Sequence, residues 1–240
     1  MKNIDLNCDM GEGMDNEHLI MPYISSCNIS CGAHAGSEKT IHSTIQEAQK
    51  HGVKIGAHPS YPDQENFGRL VMDMGKEELE ESILLQLTLF KSILDQYGLP
   101  LHHIKPHGAL YNQAAVDVHI AEMILTIMQK NFPDAILYAP DQSVIASLAA
   151  KYNIKVWHEA FADRNYADDL TLIPRIHPLA VMHEKHEIIN HISIMLEEQK
   201  VKALSGNVLP LKVDTICIHG DNPTSPLIAE AVRERLNSYI

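Results

Sequence analysis

The sequence predicts a parallel α/β fold, closed into a distorted, TIM-like (β/α) barrel of seven strands. Three observations predict it. Short β-rich runs alternate with longer amphipathic stretches along the chain. No long linker, low-complexity tract or internal repeat divides it, so one domain over 1–240 is expected. Nearly every strand run also ends, on its C-terminal side, in residues too polar for a core. An open sheet uses one crevice at its switch point, whereas a barrel brings all its strand ends to one mouth.

The first run, NIDLNCD (3–9), alternates Asp5, Asn7 and Asp9, so the three share a face and need partners, a metal or a substrate. Gly11 and Gly13 flank Glu12, which could reach back over the mouth. The second run, SCNISCG (26–32), leads into CGAHAGS, where small neighbours leave room beside His34. Ser37 is placed to cap a helix over 38–50 that stops at Gly52. The third, VKIGAHP (53–59), delivers His58 in GAHPSYPD, with Asp63 beyond. Leu79, Ile83, Leu87, Phe90 and Leu94 then predict a helix over 77–97, ended by Gly98.

The fourth run, LHHIKPH (101–107), enters KPHGALYN. Pro106 fixes its own φ and extends Lys105, so Lys105 and His107 point the same way, a cation beside a proton carrier. Gly108 permits a sharp turn or a close approach of backbone to ligand, and Tyr111 and Asn112 follow. Asp117 caps a helix over 118–130. AILYAP (135–140) precedes a helix over 141–152. IKVWHEA (154–160) carries Glu159, with Asp163 and Arg164 beyond it in EAFADRNY; arginine suits bidentate binding of a carboxylate. After a helix over 184–199, TICIHGD (215–221) ends in His219 and Asp221, and Ser225-Pro226 opens a helix over 226–238. His42, His51, His119, His186 and His191 fall in helical stretches and are expected to be solvated.

Composition excludes several classes. With 31 acidic against 19 basic residues the formal charge is −12, which gives no basic footprint for nucleic acid or an anionic membrane. No apolar run approaches the roughly 20 residues that span a bilayer. MKNIDLNCDMGEG has no apolar core of a secretory signal, and Cys8, Cys27, Cys31 and Cys217 are expected to be buried, reduced thiols of a cytoplasmic protein. There is no GxxxxGK[ST], GxGxxG, GxSxG, HExxH or CxxC motif.

DLNCDMGEG, NISCGAHAG, GAHPSYPD with FGR (67–69), KPHGALYN, EAFADRNY and CIHGD, in this order, resemble the signatures of the LamB/YcsF family from residue 3 to about 235. The resemblance implies a seven-stranded (β/α) barrel related to polysaccharide deacetylases and glycoside hydrolases. It implies ATP-dependent opening of 5-oxo-L-proline to L-glutamate by the A component of a hetero-oligomer with separate B and C subunits, with ATP bound with or through those partners. This sequence departs from the family at Ser37, where an acidic residue is usual, and at Leu170 and Leu179, near positions that usually hold glycine.

On this reading the general base is Asp9 or one of His34, His58 and His219. Lys105 neutralises phosphate or oxyanion charge, and Arg164 holds the substrate carboxylate. Asp5, Asn7, Glu12, His107, Glu159 and Asp221 complete the catalytic candidates, and Asp63, Arg69, Tyr111, Asn112 and Asp163 join Arg164 as substrate-binding candidates. Two rivals stand beside it. One is a metal-dependent deacylase with Asp9, His34 and His58 on a divalent ion, although the i, i+4 histidine pair of a convincing metal motif is missing. The other is a non-catalytic binding subunit, disfavoured because an idle pocket has no reason to desolvate so many ionisable groups.

Overall fold

A computed structural model describes residues 4–14, 16–221 and 224–239. In chain order the elements are β1 (Asp5–Met10), α1 (Glu17–Ile20), β2 (Ser26–Ser30), α2 (Glu38–His51), β3 (Lys54–His58), α3 (Lys76–Gln96), β4 (His103–Ile104), α4 (Gly108–Val116), α5 (Val118–Asn131), β5 (Ile136–Pro140), α6 (Val144–Ala149), β6 (Val156–Phe161), α7 (Lys185–Glu198), β7 (Lys200–Lys202), β8 (Val208–Pro210), β9 (Thr215–Ile218) and α8 (Ser225–Tyr239). Seven parallel strands close in the order β1-β2-β3-β4-β5-β6-β9. The last step is β9 between β6 and β1, with Thr215 opposite both Glu159 and Asp5. The short hairpin β7-β8 pairs outside the barrel.

Strand alternation sorts the chain into two environments. Leu6, Ile29, Ile55, Ile104, Leu137 and Ile216 pack into the shell between sheet and helices. Barrel lumens are usually filled by branched aliphatic layers. Here the lumen is polar and hydrogen-bonded along its axis. His103 Nε2 bonds Asn28 Oδ1 at 2.6 Å. Asn28 Nδ2 donates to Asn7 Oδ1 (2.7 Å) and Asp9 Oδ1 (2.8 Å). Asn7 Nδ2 donates to Glu159 Oε1 (3.0 Å) and Thr215 Oγ1 (2.8 Å), and Thr215 donates to Asp5 at 2.9 Å. Ser26 and Lys54 complete the shell of Asp5. Gly56 is required beside this column, because a Cβ there would fall inside the His103 ring.

Several elements differ from expectation. The first strand starts at Asp5, and residue 3 of the expected run lies outside the described residues. The fourth strand pairs only at His103–Ile104, yet the backbone N–H groups of Lys105 and His107 still donate to the carbonyls of Ala57 and Pro59. The helix expected from 141 starts at Val144, since Gln142 turns at φ 59 and Ser143 supplies the cap. GALYN is helical rather than a loop: α4 begins at Gly108, where φ is 54 and a Cβ would sit 2.5 Å from the Gly68 carbonyl. The close approach at Gly108 is therefore to the 67–69 loop. Ser225 is the first residue of α8, one before the expected start at 226, and donates to His219 O. His191 is buried against Tyr166, not solvated, because the β7-β8 side covers α7 with a second apolar cluster. Ser37 and Asp117 do cap α2 and α5, and all four cysteines are buried and free. Among the described residues no helix is long and apolar enough to cross a membrane.

Candidate active site at the barrel mouth

The C-terminal strand ends surround a cavity of about 620 Å³. Its deep wall is built around Lys105. Nζ lies 2.8 Å from Asp9 Oδ1, 3.0 Å from Glu159 Oε1 and 3.2 Å from Cys217 Sγ. Burial works against a charged amine, but Asp9 and then Glu159 outweigh it and hold the Lys105 pKa well above the usual lysine range. Burial likewise opposes the Asp9 carboxylate, yet His58 and Lys105 hold its pKa well below normal. Tyr111, on α4, is buried beside Glu159; burial first, and that carboxylate second, push its phenol pKa well up. Tyr111 Oη and Glu159 Oε2 are both buried, and neither makes a well-aligned hydrogen bond among the described residues.

Beside this wall stands a cluster from four consecutive strand ends. Glu12 follows β1, His34 follows β2, His58 ends β3 and His107 precedes α4. Their ligand-type atoms all lie within 4.8 Å of one another, so the group could hold a metal ion. Glu12 Oε1 is 3.1 Å from His34 Nε2, 3.5 Å from His107 Nδ1 and 3.9 Å from His58 Nε2. The rings of His34 and His107 stack at 3.8 Å. Burial lowers the pKa of both, well below normal for His107, which favours neutral imidazoles. Glu17 fixes the Glu12 turn by accepting from Gly11 N (2.7 Å) and Glu12 N (3.1 Å).

The opposite wall carries an imidazole–carboxylate pair. His219 Nδ1 lies 2.9 and 3.0 Å from the two oxygens of Asp163, and the His219 ring stacks on Phe161. Burial would raise the Asp163 pKa, but His219 and then Arg164 hold it low. At the rim, Arg69 and Arg175 both reach Asp221 Oδ2, at 3.2 and 3.0 Å.

The fold brings Asp9, Glu12, His34, His58, Lys105, His107, Tyr111, Glu159, Asp163 and His219 to one mouth and places other candidates elsewhere. Asn7 sits one layer below, and Asp5 lies below it beside Lys54. Arg164 lines the cavity from within its wall, with Nε donating to Ala180 O and Nη2 to Ile173 O. Asp63 accepts from Asn66 within its own loop. Asn112 is exposed on the cavity-facing part of α4. Leu170 adopts φ 65, a backbone that glycine takes without strain, while its side chain is buried in the apolar cluster under β7-β8. Sequence reasoning did not single out Asn28, Ser60, His103, Arg175 or Thr215. A signal existed for Asn28, because Ser26, Asn28 and Ser30 repeat in β2 the polar alternation of β1.

Residues 4–239 match the profile of the LamB/YcsF family. The chain is 39% identical over 236 residues to the A subunit of 5-oxoprolinase from Haemophilus influenzae strain PittEE, covering 98% of this chain and 96% of that protein. It is 38% identical over 242 residues to the A subunit of 5-oxoprolinase from Brevibacillus brevis, covering 99% and 95%. The crystal structure of a lactam utilization protein from Thermus thermophilus superposes with a TM-score of 0.91 at 37% identity, covering 99% of this chain and 97% of that one.

Proposed function

The chain belongs to the LamB/YcsF family, and from that membership we infer that it is the A subunit of a 5-oxoprolinase, opening the lactam of 5-oxo-L-proline to give L-glutamate. An unstrained lactam resists hydrolysis; ATP supplies activation by phosphorylating the amide oxygen, which makes the ring carbon a good electrophile. The chain has no phosphate-loop motif, which fits nucleotide bound with or through B and C subunits of a hetero-oligomer; the family reading places that assembly in the cytoplasm.

This chain then deprotonates the attacking water and stabilises charge. Asp163 fixes the Nδ1–H tautomer of His219, so Nε2 accepts the water proton. Lys105, locked between Asp9 and Glu159, meets developing oxyanion or phosphate charge. Arg164 in the cavity wall, with Arg175 and Arg69 at the rim, holds the substrate carboxylate. The observation that carries this reading is the His219–Asp163 pair on the wall of the cavity that also holds Lys105.

The test is 5-oxoproline-dependent release of glutamate and phosphate by the chain alone and with B and C partners, with and without ATP. Turnover only with partners and ATP is expected. Glutamate released by the chain alone without ATP would favour a metal-dependent amide hydrolase, the reading supported by the Glu12, His34, His58 and His107 cluster. No turnover from a folded, assembled complex overturns the lactam-opening assignment.

A further inference from the structure

We propose that Glu12, His34, His58 and His107 form a binding site for one divalent transition-metal ion of the zinc type, open on its cavity side. The first argument is the direction of the ring hydrogens. His58 Nδ1 lies 2.7 Å from the Lys105 carbonyl and His107 Nε2 lies 2.9 Å from the Phe67 carbonyl. A carbonyl only accepts, so both nitrogens carry the hydrogen. His34 Nδ1 lies 2.9 Å from Ser60 Oγ, whose own hydrogen goes to the Tyr61 carbonyl at 2.8 Å. Each of the three rings therefore commits its outward nitrogen to the protein and turns its other nitrogen inward.

Those inward nitrogens converge. His58 Nε2 and His107 Nδ1 are 3.0 Å apart, and Glu12 Oε1 faces the same point. Four ligand-type atoms thus surround one point where a cation can join them. The spacing suits one. A tetrahedral ion with bonds of about 2.0–2.1 Å separates its donors by about 3.3–3.4 Å; four of the six separations, 3.0, 3.1, 3.5 and 3.9 Å, bracket that value, and all lie within 4.8 Å.

Charge gives a second, independent argument. Asp9, Glu12 and Glu159 are three carboxylates in the mouth, and Lys105, the one ammonium beside them among the described residues, bonds Asp9 and Glu159 but not Glu12. A divalent ion would give Glu12 the cationic partner that Lys105 does not. Three imidazoles with one carboxylate select a zinc-like ion over calcium or magnesium, which prefer all-oxygen shells.

The outer partners are those that orient metal-bound imidazoles: two backbone carbonyls and a hydroxyl. The hydroxyl is itself held, because Gln86 bonds both Ser60 N (3.0 Å) and Ser60 O (2.9 Å). Glu12, His58 and His107 line the cavity and His34 stands behind them. The ion would thus have protein at its back and substrate or water in front, where it polarises an oxygen.

The experiment measures binding, so it stands or falls apart from the lactam reading. Untagged chain is stripped with chelator, dialysed against zinc and analysed for bound metal; cobalt uptake is followed by its visible absorption. One ion per chain is expected, with Glu12→Gln and His58→Ala losing it. Ser60→Ala, which leaves all four ligands in place, is expected to weaken binding by roughly 10–100-fold, as loss of an outer partner does; its folding is checked by circular dichroism. A folded wild-type chain that takes up no zinc or cobalt overturns the site. Variants that bind one ion as tightly as wild type also overturn it, because the ion then lies elsewhere.

Discussion

Lys105 Nζ lies 2.8 Å from Asp9 Oδ1, and both side chains are almost wholly withdrawn from solvent. With Glu159 on its other side, this amine is the pivot between β1, β4 and β6.

Lys105→Met would leave Asp9 and Glu159 as unpaired buried carboxylates. Removing one partner of such a pair costs about 3–5 kcal/mol, so a lower urea midpoint is expected together with lost turnover. An unchanged midpoint would mean the carboxylates are not charged in the folded protein.

Asp163→Asn keeps the contact to His219 but removes the charge that sets its tautomer. A fall in kcat of about 10²–10⁴-fold is expected, the range for loss of general-base catalysis, with KM little changed. Steady-state kinetics of the assembled complex checks this. A KM effect with normal kcat would move the pair from proton transfer to substrate binding.

Gly56→Ala inserts a methyl into the space of the His103 ring. Overpacking of this kind costs about 1–3 kcal/mol. A lower melting temperature is expected, with reduced activity through Asn28, which links His103 to Asp9. Wild-type stability in this variant would show that the lumen repacks freely.

Acid should destabilise the chain through His191. Burial pulls its pKa down to about 4, whereas an unfolded histidine titrates near about 6.5. The unfolded state therefore binds the extra proton first. The stabilisation is full above pH 6.5 and is lost as pH falls toward 4, up to about 3 kcal/mol. Tyr166 packs on the ring, and Asp163 is the charged group that opposes the shift. His191→Phe is expected to lose less stability than wild type between pH 7.5 and pH 5 in urea unfolding. Equal losses would place the acid sensitivity elsewhere.

The barrel was legible because polar side chains at strand ends have few other uses. Asp9, His34, His58, Lys105, Glu159 and His219 could each be placed at a mouth from strand position alone. Their partnerships could not. Asp5 and Asp9 share a face, but only the height of β1 in the barrel decides that one meets Lys54 and the other Lys105. The metal-type cluster escaped motif reading because its ligands come one from each of four strand ends, with no short spacing between them. The backbone partners of Arg164 could not be read either: Ile173 and Ala180 become its neighbours only when the 163–183 segment folds over. The helix α4 was missed because its residues are apolar on several sides, without a single stripe.

The hydrogen-bonded axis has a consequence for how this barrel tolerates change. Asn7 serves Glu159, Thr215 and Asn28 at once. A substitution there would take one hydrogen bond from each of three buried groups at once, and no single compensating exchange restores them. Residues that no substrate reaches thus belong to the same cooperative unit as those that it does. Sequence drift should then be confined to the apolar shell and the rim, and double-mutant cycles along the axis should be strongly non-additive.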